Sequence, residues 1–125
     1  MTSLDWNPYA RNCPTRELLN RIGDRWTVLI IGTLNDGPRR FNEIARAVEG
    51  ISQKMLTQTL RALERDGLVT RTIYAQIPPK VEYALTDLGV SLREPLKELE
   101  LWATTHMEQV LAARLRADQA PEQEQ

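Results

Sequence analysis

Apolar positions along the chain follow a helical period, then alternate, then return to a helical period, and this succession predicts the order of elements. Leu18, Leu19 and Ile22 mark a first helix over residues 15–22, opened by Pro14, which suits a first helical turn, and closed by Gly23. Residues 24–34 (DRWTVLIIGTL) are the most apolar run. Trp26, Leu29, Ile30 and Leu34 stand near helical spacing there and predict a buried central helix, stopped by Asn35-Asp36-Gly37-Pro38. A short helix over residues 40–48 carries Phe41, Ile44, Ala45 and Val48 inward, and Glu49-Gly50-Ile51 turns the chain into the next. After Gly67 the period changes. Val69, Arg71 and Ile73 alternate with Thr70, Thr72 and Tyr74, and Val81, Tyr83 and Leu85 alternate with Glu82 and Ala84, which predicts a β-hairpin with an extended, proline-stiffened tip over residues 75–79. Thr86-Asp87 then caps a long helical region whose apolar positions run from Leu88 to Leu115, with Pro95 inside it expected to break or kink it.

Residues 50–67 (GISQKMLTQTLRALERDG) are the stretch the rest of the chain is arranged around. At about 100° per residue, Met55, Leu56, Thr59, Leu60 and Leu63 share one side of a helix. Gln53, Lys54, Thr57, Gln58, Arg61 and Arg65 share the other, with Glu64 its only acid. Ser52 is placed to cap this helix and Gly67 to stop it. Amides can grip an adenine edge and cations can hold guanine or phosphate, so the polar side has the chemistry nucleic acid requires. A merely solvated helix would carry the same residue types. The context decides between them. A short bracing helix, a turn containing Gly50 and a second helix with a basic polar face form a helix-turn-helix pattern.

With the hairpin following directly, the chain reads as mainly α with a small β-hairpin (α+β), a winged helix-turn-helix domain over residues 13–86. Residues 1–12, with apolar anchors Leu4, Trp6 and Tyr9 among turn formers, are an N-terminal arm. Residues 87–116 are a C-terminal dimerisation helix or pair of helices, because an appended helix buries little unless it meets a second copy. Residues 117–125 are an acidic, Gln-rich, disordered tail. The expected dimer contacts are Trp6, Tyr9, Leu92, Leu96, Leu99 and Trp102. Trp26 reads as a core or interface aromatic, and His106 as a surface imidazole without a sensing role.

Charge sharpens the partner. The formal net charge is −1, but residues 11–80 hold twelve Lys or Arg against seven Asp or Glu, while residues 81–125 hold four against nine. The basic half should face a polyanion and the acidic half should face away. No apolar run approaches the roughly 18 residues of a membrane span, so no membrane partner is expected. A single cysteine forms no intrachain disulfide, which fits the cytoplasm. One His and one Cys far apart leave a metal site without ligands, and neither a phosphate loop nor a serine elbow occurs. No enzyme and no cofactor are expected.

Several motifs then recur in register: Cys13-Pro14, IGDRW (22–26), GPRRF (37–41), GISQKML (50–56), LRALERDGLV (60–69), PPKVEYALT (78–86) and Gly89. On these residues the chain resembles the HxlR-type winged helix-turn-helix transcriptional regulators over residues 13–105. The resemblance implies a homodimeric bacterial regulator, a repressor or activator, on a palindromic operator in double-stranded DNA. We expect repression. It assigns Ser52, Gln53, Lys54, Thr57 and Gln58 to the base edges, with Gln53, Lys54 and Thr57 foremost, and Arg61 to the same helix. The wing role falls on the segment from Gln76 to Lys80. Arg39, Arg40, Arg61, Arg65 and Lys80 are the expected phosphate contacts. Some relatives sense thiol-reactive compounds at the Cys-Pro position, which makes Cys13 a candidate redox sensor and an electrophile or small molecule a candidate inducer. Arg11, Arg16 and a helix start surround Cys13 as they do reactive thiols, whereas a buried cysteine would simply pack. The rival class is a winged-helix protein-interaction module without DNA specificity. Steep salt dependence and preference for one sequence separate the two.

Overall fold

The structure of the chain, a computed structural model, describes residues 6–120. Residues 1–5 of the expected arm and 121–125 of the expected tail lie outside the described residues. After an irregular lead in which the Asn7 side chain accepts from the Tyr9 amide, helix α1 runs Pro14–Ile22 with Cys13 at its N-cap and Gly23 at its C-cap. Helix α2, Arg25–Thr33, starts where the Asp24 carboxylate accepts from the Trp26 amide at 2.8 Å. Its inner stripe differs from the expected one. Thr27, Ile30, Ile31 and Leu34 are buried, whereas Leu29 is exposed and Trp26 lies half-buried beside Arg25, whose guanidinium stands 4.4 Å from the ring centroid. A run this uniformly apolar carries little periodic contrast, so packing selects the i, i+3, i+4, i+7 set.

Helix α3, Phe41–Ala47, and helix α4, Gln53–Arg65, form the helix-turn-helix. The turn between them needs Gly50, whose φ of +89° lies in the left-handed region. The Glu43 carboxylate accepts from the Arg40 amide at 2.8 Å at the start of α3, and the Ser52 hydroxyl accepts from the Met55 amide at 3.0 Å at the start of α4. Leu56, Leu60 and Leu63 of α4 are fully buried, and α4 packs on α2. Each such side chain contributes roughly 1.5–3 kcal/mol of apolar burial. With Ile30, Ile31, Ile44, Val48, Leu68 and Val69 they make the core.

The hairpin is present, and a third strand that the sequence pattern did not predict joins it. Strands β2 (Val69–Tyr74) and β3 (Lys80–Leu85) pair antiparallel, Val69 opposite Leu85 and Tyr74 opposite Lys80. Residues Arg39–Arg40, which the sequence placed at the entry of the bracing helix, form strand β1 and pair antiparallel with β3, Arg39 opposite Tyr83 and Arg40 opposite Glu82. The sheet order is β1-β3-β2.

Helix α5, Asp87–Gln119, is one helix of 33 residues that passes Pro95 without interruption. A proline removes one backbone donor, but at Pro95 this does not end the helix. The helix also extends past the expected end at residue 116, with the Ala120 amide donating to the Arg116 carbonyl at 3.0 Å. The chain divides into two compact units between Arg93 and Glu94. In the second, Leu99, Leu101, Trp102, Leu111 and Leu115 are exposed, and Trp102 stacks on His106 with ring centroids 4.6 Å apart.

Candidate nucleic-acid interface

The N-cap at Ser52 and the buried Leu56-Leu60-Leu63 stripe fix which side of α4 faces outward. Gln53, Lys54, Thr57, Gln58 and Arg61 line one open groove along that side. All but the half-buried Thr57 are exposed, as are Ser52 and Arg65. Among the described residues, the side chains of Gln53, Lys54, Gln58, Arg61 and Arg65 take part in no hydrogen bond or ion pair within the chain. Donors left free on a rigid helix cost no internal bond when a ligand takes them. The lone acid of this face is different: Glu64 Oε2 lies 3.8 Å from Arg71 Nε on the stem of the wing.

The expected phosphate contacts divide. Arg40, Arg61 and Arg65 are exposed. Arg39 is turned inward, its Nε donating to the Thr33 carbonyl at 3.2 Å at the end of α2. Lys80 is also engaged: its Nζ is 3.3 Å from Glu82 Oε2 and 4.9 Å from the centroid of the Tyr74 ring. Its partner Glu82 is two residues along the same strand and Tyr74 is opposite in the register, a relation visible only once the strands are paired. Gln76 is exposed at the tip.

Sequence reasoning passed over Tyr83. It stands opposite Arg71 on β2 and Arg39 on β1, near Glu64 and Arg61. Partial burial pushes its phenol above the ordinary tyrosine range; the Arg71 guanidinium opposes that shift, Glu64 adds to it and Arg61 opposes it. Its period-2 position in β3 was the available signal. Tyr83 thus occupies the seam between the helix face and the wing.

The other expected sites fall as follows. Cys13 is half-buried and opens a shallow cleft shared with Arg11, Asn12, Pro14, Arg16, Glu17 and Asn20. Of the expected dimer contacts, Trp6, Tyr9, Leu99 and Trp102 are exposed and Leu92 is half-buried. Leu96 is only 6% exposed in the single chain, which leaves it little surface to offer a second copy. Among the described residues no cluster of His, Cys, Asp and Glu could hold a metal ion, and no helix is long and apolar enough to cross a membrane.

Comparison with known proteins agrees with this geometry. The HxlR-like helix-turn-helix family matches residues 21–116. The chain is 44% identical over 108 residues to the uncharacterized HTH-type transcriptional regulator YtfH of Escherichia coli K12, covering 86% of each chain. A solved structure of the putative transcriptional regulator ytfH from Salmonella typhimurium superposes with a TM-score of 0.82 at 44% identity, covering 86% of this chain and 96% of that one. The redox regulator HypR in its oxidized form superposes with a TM-score of 0.70 at 42% identity, covering 74% of this chain and 96% of that one. The fold is a winged helix-turn-helix, and the chain belongs to the HxlR-like helix-turn-helix family of transcriptional regulators.

Proposed function

We propose that the protein is a sequence-specific DNA-binding repressor that acts as a homodimer on a palindromic operator. The observation that carries this reading is the outward side of α4, where, among the described residues, two amides and three cations form no hydrogen bond or ion pair, opposite a buried Leu56-Leu60-Leu63 stripe. In the major groove, Gln53, Lys54 and Thr57 near the helix N-terminus meet base edges, with Ser52 and Gln58 beside them. Arg40, Arg61 and Arg65 meet phosphate and set the register. The exposed Trp6, Tyr9, Leu99 and Trp102 supply the contacts between copies, and the two α4 helices then address half-sites about 34–36 Å apart or a multiple of that.

Cys13 is the proposed input. It is the only cysteine of the chain, so oxidation either joins two Cys13 thiols across a dimer, with two protons and two electrons passing to the oxidant, or leaves an adduct with a small thiol or an electrophile. The half-buried position at the start of α1 and the likeness to a redox regulator support this reading.

Selection of bound sequences from random duplex DNA, with and without a thiol oxidant, tests both parts. An enriched sequence with two-fold symmetry, bound with steep salt dependence, is expected. Binding that is weak, salt-insensitive and without sequence preference would overturn the reading, and enrichment unchanged by oxidant would remove Cys13 from it.

A further inference from the structure

Helix α1 buries none of its residues, yet one stripe of it lines a cleft. Pro14, Glu17, Leu18 and Arg21 share a helical face and form one wall of a space of about 280 Å³, closed on the other side by Asp66, the C-cap of α4. Arg21 is held there without a bond. Its Nε is buried and has no hydrogen-bond partner, and Asp66 Oδ2 stands 4.0 Å away, beyond hydrogen-bond reach. A buried donor in this state carries its desolvation cost unrelieved, and such donors are rare in folded proteins. Among the described residues, the carboxylates of Glu17 and Asp66 likewise accept no hydrogen bond.

We propose that this cleft binds an α-amino acid with an apolar side chain, and that the ligand is an effector of the DNA-binding face. The effector half rests on the operator reading above; the binding half does not. Every part of the lining has its complement in that one class. The Arg21 guanidinium takes the ligand carboxylate through its planar fork of donors. Glu17 and Asp66 take the ammonium, and Pro14 with Leu18, 41% exposed, covers the apolar side chain. With two acids and one base in the wall, a plain organic acid meets net repulsion. A plain amine leaves Arg21 unpaired. The volume lies at the small end of ligand sites, roughly 300–1,000 Å³, which suits a single amino acid and excludes a nucleotide cofactor. The place of Asp66 supplies the effect. Its amide donates to the Ala62 carbonyl at 3.0 Å and closes the last turn of α4. A ligand that draws on the Asp66 carboxylate therefore acts on the end of the helix whose outward side carries Gln53 to Arg61. It shifts operator affinity by as much as it favours one setting of that helix over another.

The test titrates the full-length protein with L-phenylalanine, hydrocinnamate, phenethylamine and glycine, followed by NMR of the backbone amides and the arginine side chains. L-Phenylalanine should shift the Arg21 Nε–H and the Asp66 and Gly67 amides, with a Kd of about 0.1–1 mM. The other three lack in turn the ammonium, the carboxylate and the apolar body, and should bind at least about tenfold more weakly. Arg21→Lys and Glu17→Gln should weaken L-phenylalanine to a similar degree while keeping the parent's circular dichroism. At saturation, L-phenylalanine should change operator affinity at least about threefold. Silence of these resonances up to about 10 mM ligand would overturn the site. Hydrocinnamate bound as tightly as L-phenylalanine would overturn the ligand class, and binding untouched by both substitutions would put the ligand elsewhere. Binding that leaves operator affinity unchanged would overturn the effector half. If the parent selects no operator, the operator reading and the effector half fall together, and the NMR titration still decides the site.

Discussion

Arg71 Nε on the wing stem lies 3.8 Å from Glu64 Oε2 on α4, and this pair masks the only acid on the outward side of the helix. Both side chains are more than a third exposed, so the pair contributes little stability. Its effect is electrostatic: a carboxylate that would repel phosphate is matched by a guanidinium. Glu64→Gln should therefore change the unfolding free energy by less than about 1 kcal/mol. The freed Arg71 should strengthen binding to any duplex and steepen the slope of log K against log salt by about 0.9. Titrations of operator and bulk DNA at several salt concentrations check this. An unchanged slope would mean that Arg71 does not reach the backbone.

Lys54 stands in the first turn of α4 with its ammonium free. As a base-edge contact it should be worth about 1–3 kcal/mol of discrimination, so Lys54→Ala should weaken operator binding about tenfold or more and narrow the gap to bulk DNA. The thermal midpoint should not move, because the side chain is exposed. A uniform loss on all sequences would reassign Lys54 to phosphate.

Acid should loosen the start of α3. The Glu43 carboxyl is held below the ordinary glutamate range, chiefly by its hydrogen bond from the Arg40 amide; desolvation opposes this, and Arg39, Arg40 and Arg46 add to the lowering. A carboxyl depressed in the folded state stabilises it above the unfolded-state value, and that contribution is lost as pH falls through the lowered native value. Glu43→Gln keeps an acceptor at the same capping position without a charge. The parent should thus be the more stable at neutral pH, and the urea midpoints of the two should converge on acidification. Parallel curves would rule out the carboxylate as the cause.

How far these elements could be read in advance depended on how local their causes are. Ser52, Gly67 and the Leu56-Leu60-Leu63 stripe act within one helix, and α4 lies where they put it. The alternation of Val69 to Tyr74 and Val81 to Leu85 likewise gave the hairpin. By contrast, strand β1 is two residues long, has no period of its own, and exists because β3 offers it a partner. The same non-local pairing sets Tyr74 beside Lys80, whose other partner Glu82 is on its own strand, and the fold turns Arg39 toward the Thr33 carbonyl. Residue type predicts two phosphate contacts there, where the Thr33 carbonyl, the Glu82 carboxylate and the Tyr74 ring engage the charge. Leu29, expected inward, is exposed for a related reason, since apolar character does not say which face is covered.

Gly89 is required by space. A Cβ built on it would collide with the Leu68 carbonyl oxygen, with the Leu68 carbonyl carbon and Leu85 Cδ2 each at 3.2 Å. Backbone cannot yield as a flexible side chain would. Gly89→Ala should cost at least about 3 kcal/mol, at the upper end of the overpacking range, despite alanine's better helix propensity. Urea unfolding measures it. A loss below about 1 kcal/mol would mean that the first turn of α5 shifts freely away from Leu68.

Three backbone groups meet beside that glycine on one residue. Thr86 Oγ1 donates to the Gly67 carbonyl at 2.6 Å and accepts from the Gly89 amide at 3.0 Å, while the Thr86 amide donates to the Leu68 carbonyl at 3.1 Å. The residue that ends the wing therefore caps α5 and also satisfies the turn after α4, where Gly67 takes a φ of +77°. Thr86→Ala would leave the Gly67 carbonyl and the Gly89 amide without this partner and should cost about 1–2 kcal/mol. Thr86→Ser keeps the hydroxyl and should recover most of it. The second readout concerns the wing. If the hydroxyl fixes the exit of β3 against the end of α4, Thr86→Ala should raise amide exchange at Leu68 and Leu85 ahead of the core of α4. Protection lost evenly along the chain would reduce Thr86 to a helix cap.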